Sequence, residues 1–314
     1  MTVQPAFSRS TGLTLLEVLI TIFVMAIGLL SVLTLFPLAA RKIVRSIDND
    51  RAALMAANAD GSETILGFRS YVQNQFNLDA AVPGANKLGP GNVYHFDPIG
   101  QIGLANYIQQ TLMSSCGLNQ LNAFVAPRVI SRNQLVEWFV SQDEIQFQSW
   151  GVPEIGFRKG NRYSVSYLYR RNALGDSNSL DTVMLIYTGR PIEFGNSTET
   201  LLSLRGTGNY PTGVSELVIA PPGPGPGGPD RTFGRGSWIM DRSPNSVDGQ
   251  PRWKKFYQVQ SVEQVGTNLV VQLDRGLEAD PGASSTSVLN PGSGNSSLIW
   301  IDYLFDWFDR GIGP

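Results

Sequence analysis

Residues 13–36, "LTLLEVLITIFVMAIGLLSVLTLF", form an apolar run of 24 residues broken by a single charge, Glu17. As a helix rising about 1.5 Å per residue, the run would extend ~36 Å. That is longer than the ~30 Å hydrocarbon core of a bilayer. An 18-residue apolar stretch already reads as a transmembrane candidate, so any fold for this chain must place a long greasy helix in lipid or against other helices. Glu17 is the anomaly: an ionised carboxylate near a bilayer centre costs on the order of 2.5–3.5 kcal/mol on insertion scales. Its presence calls for a compensating positive charge.

The rest of the chain limits the chemistry. Among its 314 residues 42% are hydrophobic and only 16% charged, with a formal net charge of −2 and a pI near 5.5. This is the composition of a folded chain without the basic surface of a nucleic-acid binder. Cys116 is the one cysteine, which excludes an intramolecular disulfide, and His95 is the one histidine, which excludes multi-histidine metal centres. The sequence holds no P-loop, Gly-x-Ser-x-Gly, His-Glu-x-x-His or Cys-x-x-Cys motif. Two carboxylate groupings, Glu137/Asp143/Glu144 and Asp302/Asp306/Asp309, read as solvated faces rather than acid–base pairs, and Cys116 as a small buried hydrophobe.

The stretch Gly12-Leu13-Thr14-Leu15-Leu16-Glu17-Val18-Leu19 resembles the cleavage and methylation motif of type IV prepilins and type II secretion pseudopilins. The resemblance covers roughly residues 9–45. It implies that prepilin peptidase cuts after Gly12 on the cytoplasmic side, leaving residues 1–12 as a leader. Leu13 becomes a methylated N-terminus, and Glu17 takes the place of the family's glutamate at the fifth mature position. Staggered helices in a filament would then let Glu17 pair with the amine of a neighbouring subunit, matching one buried charge to another.

Beyond the run, Pro37 is expected to kink the helix by removing a backbone donor. Few breakers follow until Gly61, so the helix is expected over residues 13–60. Ile43, Ile47 and Leu54 fall on one face and Ala52, Ala53, Ala56, Ala57 and Ala59 permit close approach, as in an amphipathic half packed on a globular region. Residues 61–150 read as a mixed helical insertion or subdomain. Residues 151–314 read as a β-rich region, with runs "RYSVSYLYR", "DTVMLIYT", "SELVIA", "GSWIMD", "FYQVQSV", "NLVVQL" and "SLIWIDYLF" bounded by turn signals. "FYQVQSVEQVGTNLVVQLD" predicts a hairpin. "PPGPGPGGPD", residues 221–230, is a loop. The tail "SLIWIDYLFDWFDRG" predicts one central strand with Ile299, Ile301, Tyr303 and Phe305 on one face, followed by an exposed end over 306–314.

The expected fold is therefore α+β and pilin-like: a long N-terminal transmembrane helix packed on a mainly antiparallel β-sheet region. The resemblance implies a structural, non-enzymatic subunit of a type IV pilus or a type II secretion pseudopilus, without a cofactor. The size favours a minor pilin, and the single cysteine departs from the disulfide loop of many pilins. Other pilin subunits, prepilin peptidase and inner-membrane lipid are the implied partners. The implied location is the inner membrane, single-pass, with an extracytoplasmic C-terminal region. Some pseudopilins hold calcium in a C-terminal loop; Asp274, Glu278 and Asp280 in "LDRGLEADPG" are the oxygen donors that would do so here, though their spacing matches no EF-hand. The rival reading is a signal-anchored extracytoplasmic enzyme or carbohydrate-binding protein.

Overall fold

The computed structural model describes residues 14–65, 67–70, 72–73, 93–97, 118–120, 139, 163–171, 179–190, 199–205, 210–222, 232–243, 252–278 and 298–313. The chain divides into two units, Met1–Arg51 and Ala52–Pro314. The leader, Gly12, Leu13, Cys116, Glu137, Asp143, Glu144, Asp280, most of 61–150 and most of the 221–230 loop lie outside the described residues.

The first unit is helical. Helix α1 runs over Leu15–Ile65 without interruption and contains Pro37. The expected 13–60 helix thus extends five residues further, and the proline is absorbed within it. The hydroxyls along the apolar run turn back onto the helix: Thr21 Oγ1 donates to the Glu17 and Val18 carbonyls, Ser31 Oγ to Gly28, and Thr34 Oγ1 to Ser31. Such back-bonding satisfies hydroxyls that find no water in an apolar setting. The most apolar 18-residue window is wholly exposed, and by length and composition this helix is a candidate membrane span or signal anchor.

The second unit begins with the last fourteen residues of the helix, and its described residues form two sheets. The first is five-stranded, ordered β11-β4-β3-β1-β2. Its strands are β1 (Val93–Phe96), β2 (Leu118–Gln120), β3 (Tyr163–Arg171), β4 (Leu180–Thr188) and β11 (Leu304–Gly313). The second is six-stranded, ordered β5-β10-β7-β8-β9-β6. It comprises β5 (Glu199–Leu201), β6 (Glu216–Ile219), β7 (Trp238–Asp241), β8 (Phe256–Val265), β9 (Asn268–Leu273) and β10 (Leu298–Ile301). Pairing is antiparallel except for β1 with β2. β1 and β2 fall within the stretch that reads as a helical insertion, and they belong to the first sheet.

Alternation along β3 separates two cores. Tyr163, Val165, Tyr167 and Tyr169 join Ala52, Met55, Ala56 and Ala59 of α1, with Phe68 and Phe96, in one apolar cluster. Leu168, with Val183, Leu185 and Tyr187 of β4, faces Met240, Phe256, Ile299 and Ile301 of the second sheet. The order is helix, sheet, sheet. Within the second unit the helix meets the first sheet through Ala52, Ala56 and Ala59, three of the alanines expected to permit close approach, together with Met55, while Leu54 is 59% exposed. Three tyrosines on β3 pack against this stretch of helix, where three of its four buried apolar residues are alanines and the fourth is the flexible Met55.

The second sheet closes on itself. After β5, Leu202 N–H donates to the Leu298 carbonyl; the same segment then bridges Leu204 to Ile219, with Arg205 N–H donating to Val218 and Ala220 N–H to Ser203. The closed interior holds Leu202, Leu204, Leu217, Ile219, Ile239, Tyr257, Val259, Val271, Leu273, Leu298 and Trp300. The predicted hairpin is β8–β9, joined at Gly266–Thr267 with Gly266 at φ +62°, which suits a two-residue primed turn.

The tail corrects one expectation. β10 is a central strand, buried on both faces as expected, but the chain turns at Asp302–Tyr303 and re-enters the first sheet as β11. Tyr303 adopts φ +60°, its carbonyl accepts from Thr188 N–H, and its own N–H donates to Asp302 Oδ1. Residues 306–313 are thus a paired strand rather than an exposed end, with irregularities between Leu304 and Asp306 and between Asp309 and Gly311.

Candidate functional site

Glu17 lies in the first turn of α1, where Thr14 is the N-cap. Thr14 Oγ1 accepts from Glu17 N–H at 3.3 Å, and the Thr14 carbonyl accepts from Glu17 and Val18 N–H at 3.0 and 3.2 Å. Thr14-Leu15-Leu16-Glu17 has the Thr-x-x-Glu spacing of a capping box. A carboxylate here also faces the positive end of the helix dipole. Glu17 is therefore suited to two tasks, local capping and pairing with a cation from outside. The capping signal was legible in the sequence, in the same four residues, and is a second use of the motif.

In the second unit the end of α1 is tied to the first sheet by charge. Glu63 is fully buried, and its Oε2 accepts from Arg310 Nη1 on β11 at 2.8 Å. Arg310 Nε also pairs with Asp60, and Tyr167 hydroxyl donates to the Ala59 carbonyl at 2.9 Å. Burial pushes the Glu63 carboxyl above the usual carboxylate range against the opposing pull of Arg310 and Arg69. Burial, followed by the charge of Glu63, likewise keeps the Tyr169 hydroxyl protonated. Glu63 and Arg310 are 247 residues apart. No local pattern links them.

Of the residues proposed as calcium ligands, Asp274 and Glu278 are engaged internally, and Asp280 lies outside the described residues. Glu278 Oε2 accepts from Lys255 Nζ at 2.6 Å and its Oε1 lies 3.2 Å from Arg275 Nη1; the hydrogen bond from Lys255 holds its carboxyl below the usual range. Asp274 Oδ1 accepts from Gln258 N–H at 2.9 Å. Asp302, Asp306 and Asp309 each accept a backbone N–H one or two residues on, and Asp309 also pairs with Lys254. They cap turns and bulges in β11.

A further polar cluster lies between the two sheets. His95 on β1, Ser166 on β3 and Tyr187 on β4 form a chain: His95 Nε2 to Ser166 Oγ, 3.0 Å, and Ser166 Oγ to Tyr187 hydroxyl, 3.0 Å. Arg190 grips both oxygens of Asp97 and stacks over the Tyr187 ring at 4.7 Å. Glu199, at the start of β5, is buried in the same place. Composition exposed His95 only as a lone histidine; beyond Asp97, which directly follows its own strand, its neighbours come from three other segments. The spacing His95-x-Asp97, which sets both side chains on one side of an extended chain, was the available signal.

Comparison of the chain with protein-family models, curated proteins and solved structures returns no match to any of them.

Proposed function

We propose that this chain is a structural subunit, a minor pilin or pseudopilin, of a type IV pilus or type II secretion system. In this reading prepilin peptidase cleaves after Gly12 and methylates Leu13. The exposed apolar helix then passes from lipid into a filament of packed helices. Glu17, four residues from the new terminus, pairs with the amine of a neighbouring subunit and so sets the stagger. The observation that carries the reading is a carboxylate in the first turn of a helix whose most apolar 18-residue window is wholly uncovered. Such a surface needs lipid or other helices to cover it.

The deciding experiment is intact mass and N-terminal sequencing of the membrane-extracted chain, with and without co-expressed prepilin peptidase. A peptidase-dependent chain starting at methylated Leu13 supports the proposal. A chain that keeps residues 1–12 in both cases refutes it and leaves an ordinary signal anchor carrying an extracytoplasmic binding or enzymatic region.

A further inference from the structure

The polar cluster between the sheets has the makings of a ligand set. One ring nitrogen of His95, one carboxylate oxygen of Asp97 and one of Glu199 all lie within 4.8 Å of one another, and all three side chains are buried. First-row metals bind such donors at ~2.0–2.2 Å, so ligand atoms around one tetrahedral ion sit ~3.3–3.6 Å apart. Small side-chain adjustments bring this set onto one ion.

The surroundings look like those of a metal-ligating histidine. Nε2 is taken by Ser166, itself held by Tyr187, which fixes the ring. Nδ1 is buried and has no hydrogen-bond partner among the described residues. A ligating imidazole commonly donates its second N–H to a fixed neighbour and presents the other nitrogen bare. Leaving a buried imidazole lone pair unmatched is costly. Asp97 is oriented in the same manner by the Arg190 fork, which grips both of its oxygens.

We infer that His95, Asp97 and Glu199 form a buried binding site for a first-row divalent cation of the Zn²⁺ class, tying β1 of the first sheet to β5 of the second. The mixed nitrogen and oxygen donors fit zinc or manganese better than calcium, which takes oxygen alone. The inference concerns the second unit and is independent of the filament proposal.

The test uses the full chain in detergent, purified through a tag without histidine, stripped with EDTA and then exposed separately to Zn²⁺, Mn²⁺ and Ca²⁺. Elemental analysis after desalting should find about one Zn²⁺ per chain and no retained Ca²⁺. Because His95 is the only histidine, zinc-edge X-ray absorption of the loaded protein should show a single imidazole, and that imidazole can only be His95. Cys116→Ser should load equally, while Glu199→Gln should lose at least tenfold in zinc affinity with an unchanged circular dichroism spectrum. Uptake below about a tenth of an ion per chain, or bound zinc without imidazole, overturns the inference in the unmodified protein whether or not the variants fold. Undiminished uptake by folded Glu199→Gln overturns it too.

Discussion

Removing Arg310 should strand Glu63, and the cost should depend on pH in a definite direction. Glu63 is fully buried, whereas the Arg310 side chain is 26% exposed. Breaking a buried pair by deleting one partner typically costs ~3–5 kcal/mol. The partial exposure of Arg310 and the nearby Arg69 charge put Arg310→Met lower, at ~2–3 kcal/mol at pH 8, where the carboxyl of Glu63 has to ionise or stay protonated at a penalty. The folded-state pKa of Glu63 is already raised above its ordinary 4.5 by burial. A raised carboxyl contributes stability that is fully present below the unfolded value and is lost as pH rises through the folded one. Arg310 pulls that folded value down, so its removal lifts the value further and enlarges the loss at high pH. Near pH 4.5 the variant should forfeit the hydrogen bond to Glu63 and the partly exposed pair with Asp60, ~1–1.5 kcal/mol together. Glu63→Gln, which keeps the shape and removes the charge, should cost under ~1 kcal/mol at pH 8. The assay is urea unfolding of the full chain in detergent, followed by tryptophan fluorescence, since all six tryptophans lie beyond residue 137. Equal penalties for Arg310→Met at pH 4.5 and 8 would refute the argument, as would a Glu63→Gln as damaging as Arg310→Met.

Three further outcomes are expected. Glu17→Gln keeps the capping-box pattern and loses the charge, so both it and Glu17→Ala should be processed normally yet fail to enter filaments; sheared-filament immunoblots in which Glu17→Gln assembles would show that capping, not charge, is what matters. Gly276→Ala should destabilise by ~1–3 kcal/mol by overpacking, because an added Cβ would stand 2.5 Å from the Gly213 carbonyl oxygen; a thermal midpoint equal to wild type would contradict this. Ala56→Leu, against the β3 tyrosines, should cost ~1–3 kcal/mol, while Ala57→Leu, on the exposed side of the same helix, should stay within about 0.5 kcal/mol; the same unfolding assay separates them.

What the sequence announces here is what local patterning controls. β3, β4 and the β8–β9 hairpin are long alternating or continuous apolar runs with clear turn signals, and they occur where expected. β10 and β11 read as one strand because apolar residues continue through the break. The turn depends on Tyr303 at positive φ, a conformation usually marked by glycine or asparagine. β5 is three residues long, too short for any periodicity. The alanines that permit close approach were legible and three of them pack on the β3 tyrosines, whereas Leu54, read as part of an apolar face, stays exposed because its direction around the helix points away from that sheet. The His95 and Glu63 clusters draw on residues far apart in sequence, so only the folded chain brings them together.

The closure of the six-stranded sheet has a consequence for how this chain behaves when crowded. An open sheet presents a row of unpaired N–H and C=O groups to which a second chain can add. Here residues 202–205 satisfy that row from within, so crowding offers this side no backbone template for runaway strand addition. The five-stranded sheet keeps β11 on one flank, and the irregular registers near Asp306 and Gly311 spoil it as a straight template. On these two described flanks, contacts with another chain would run through side chains rather than backbone strands. Such contacts can be specific and reversible, whereas strand-to-strand growth, once begun, is neither.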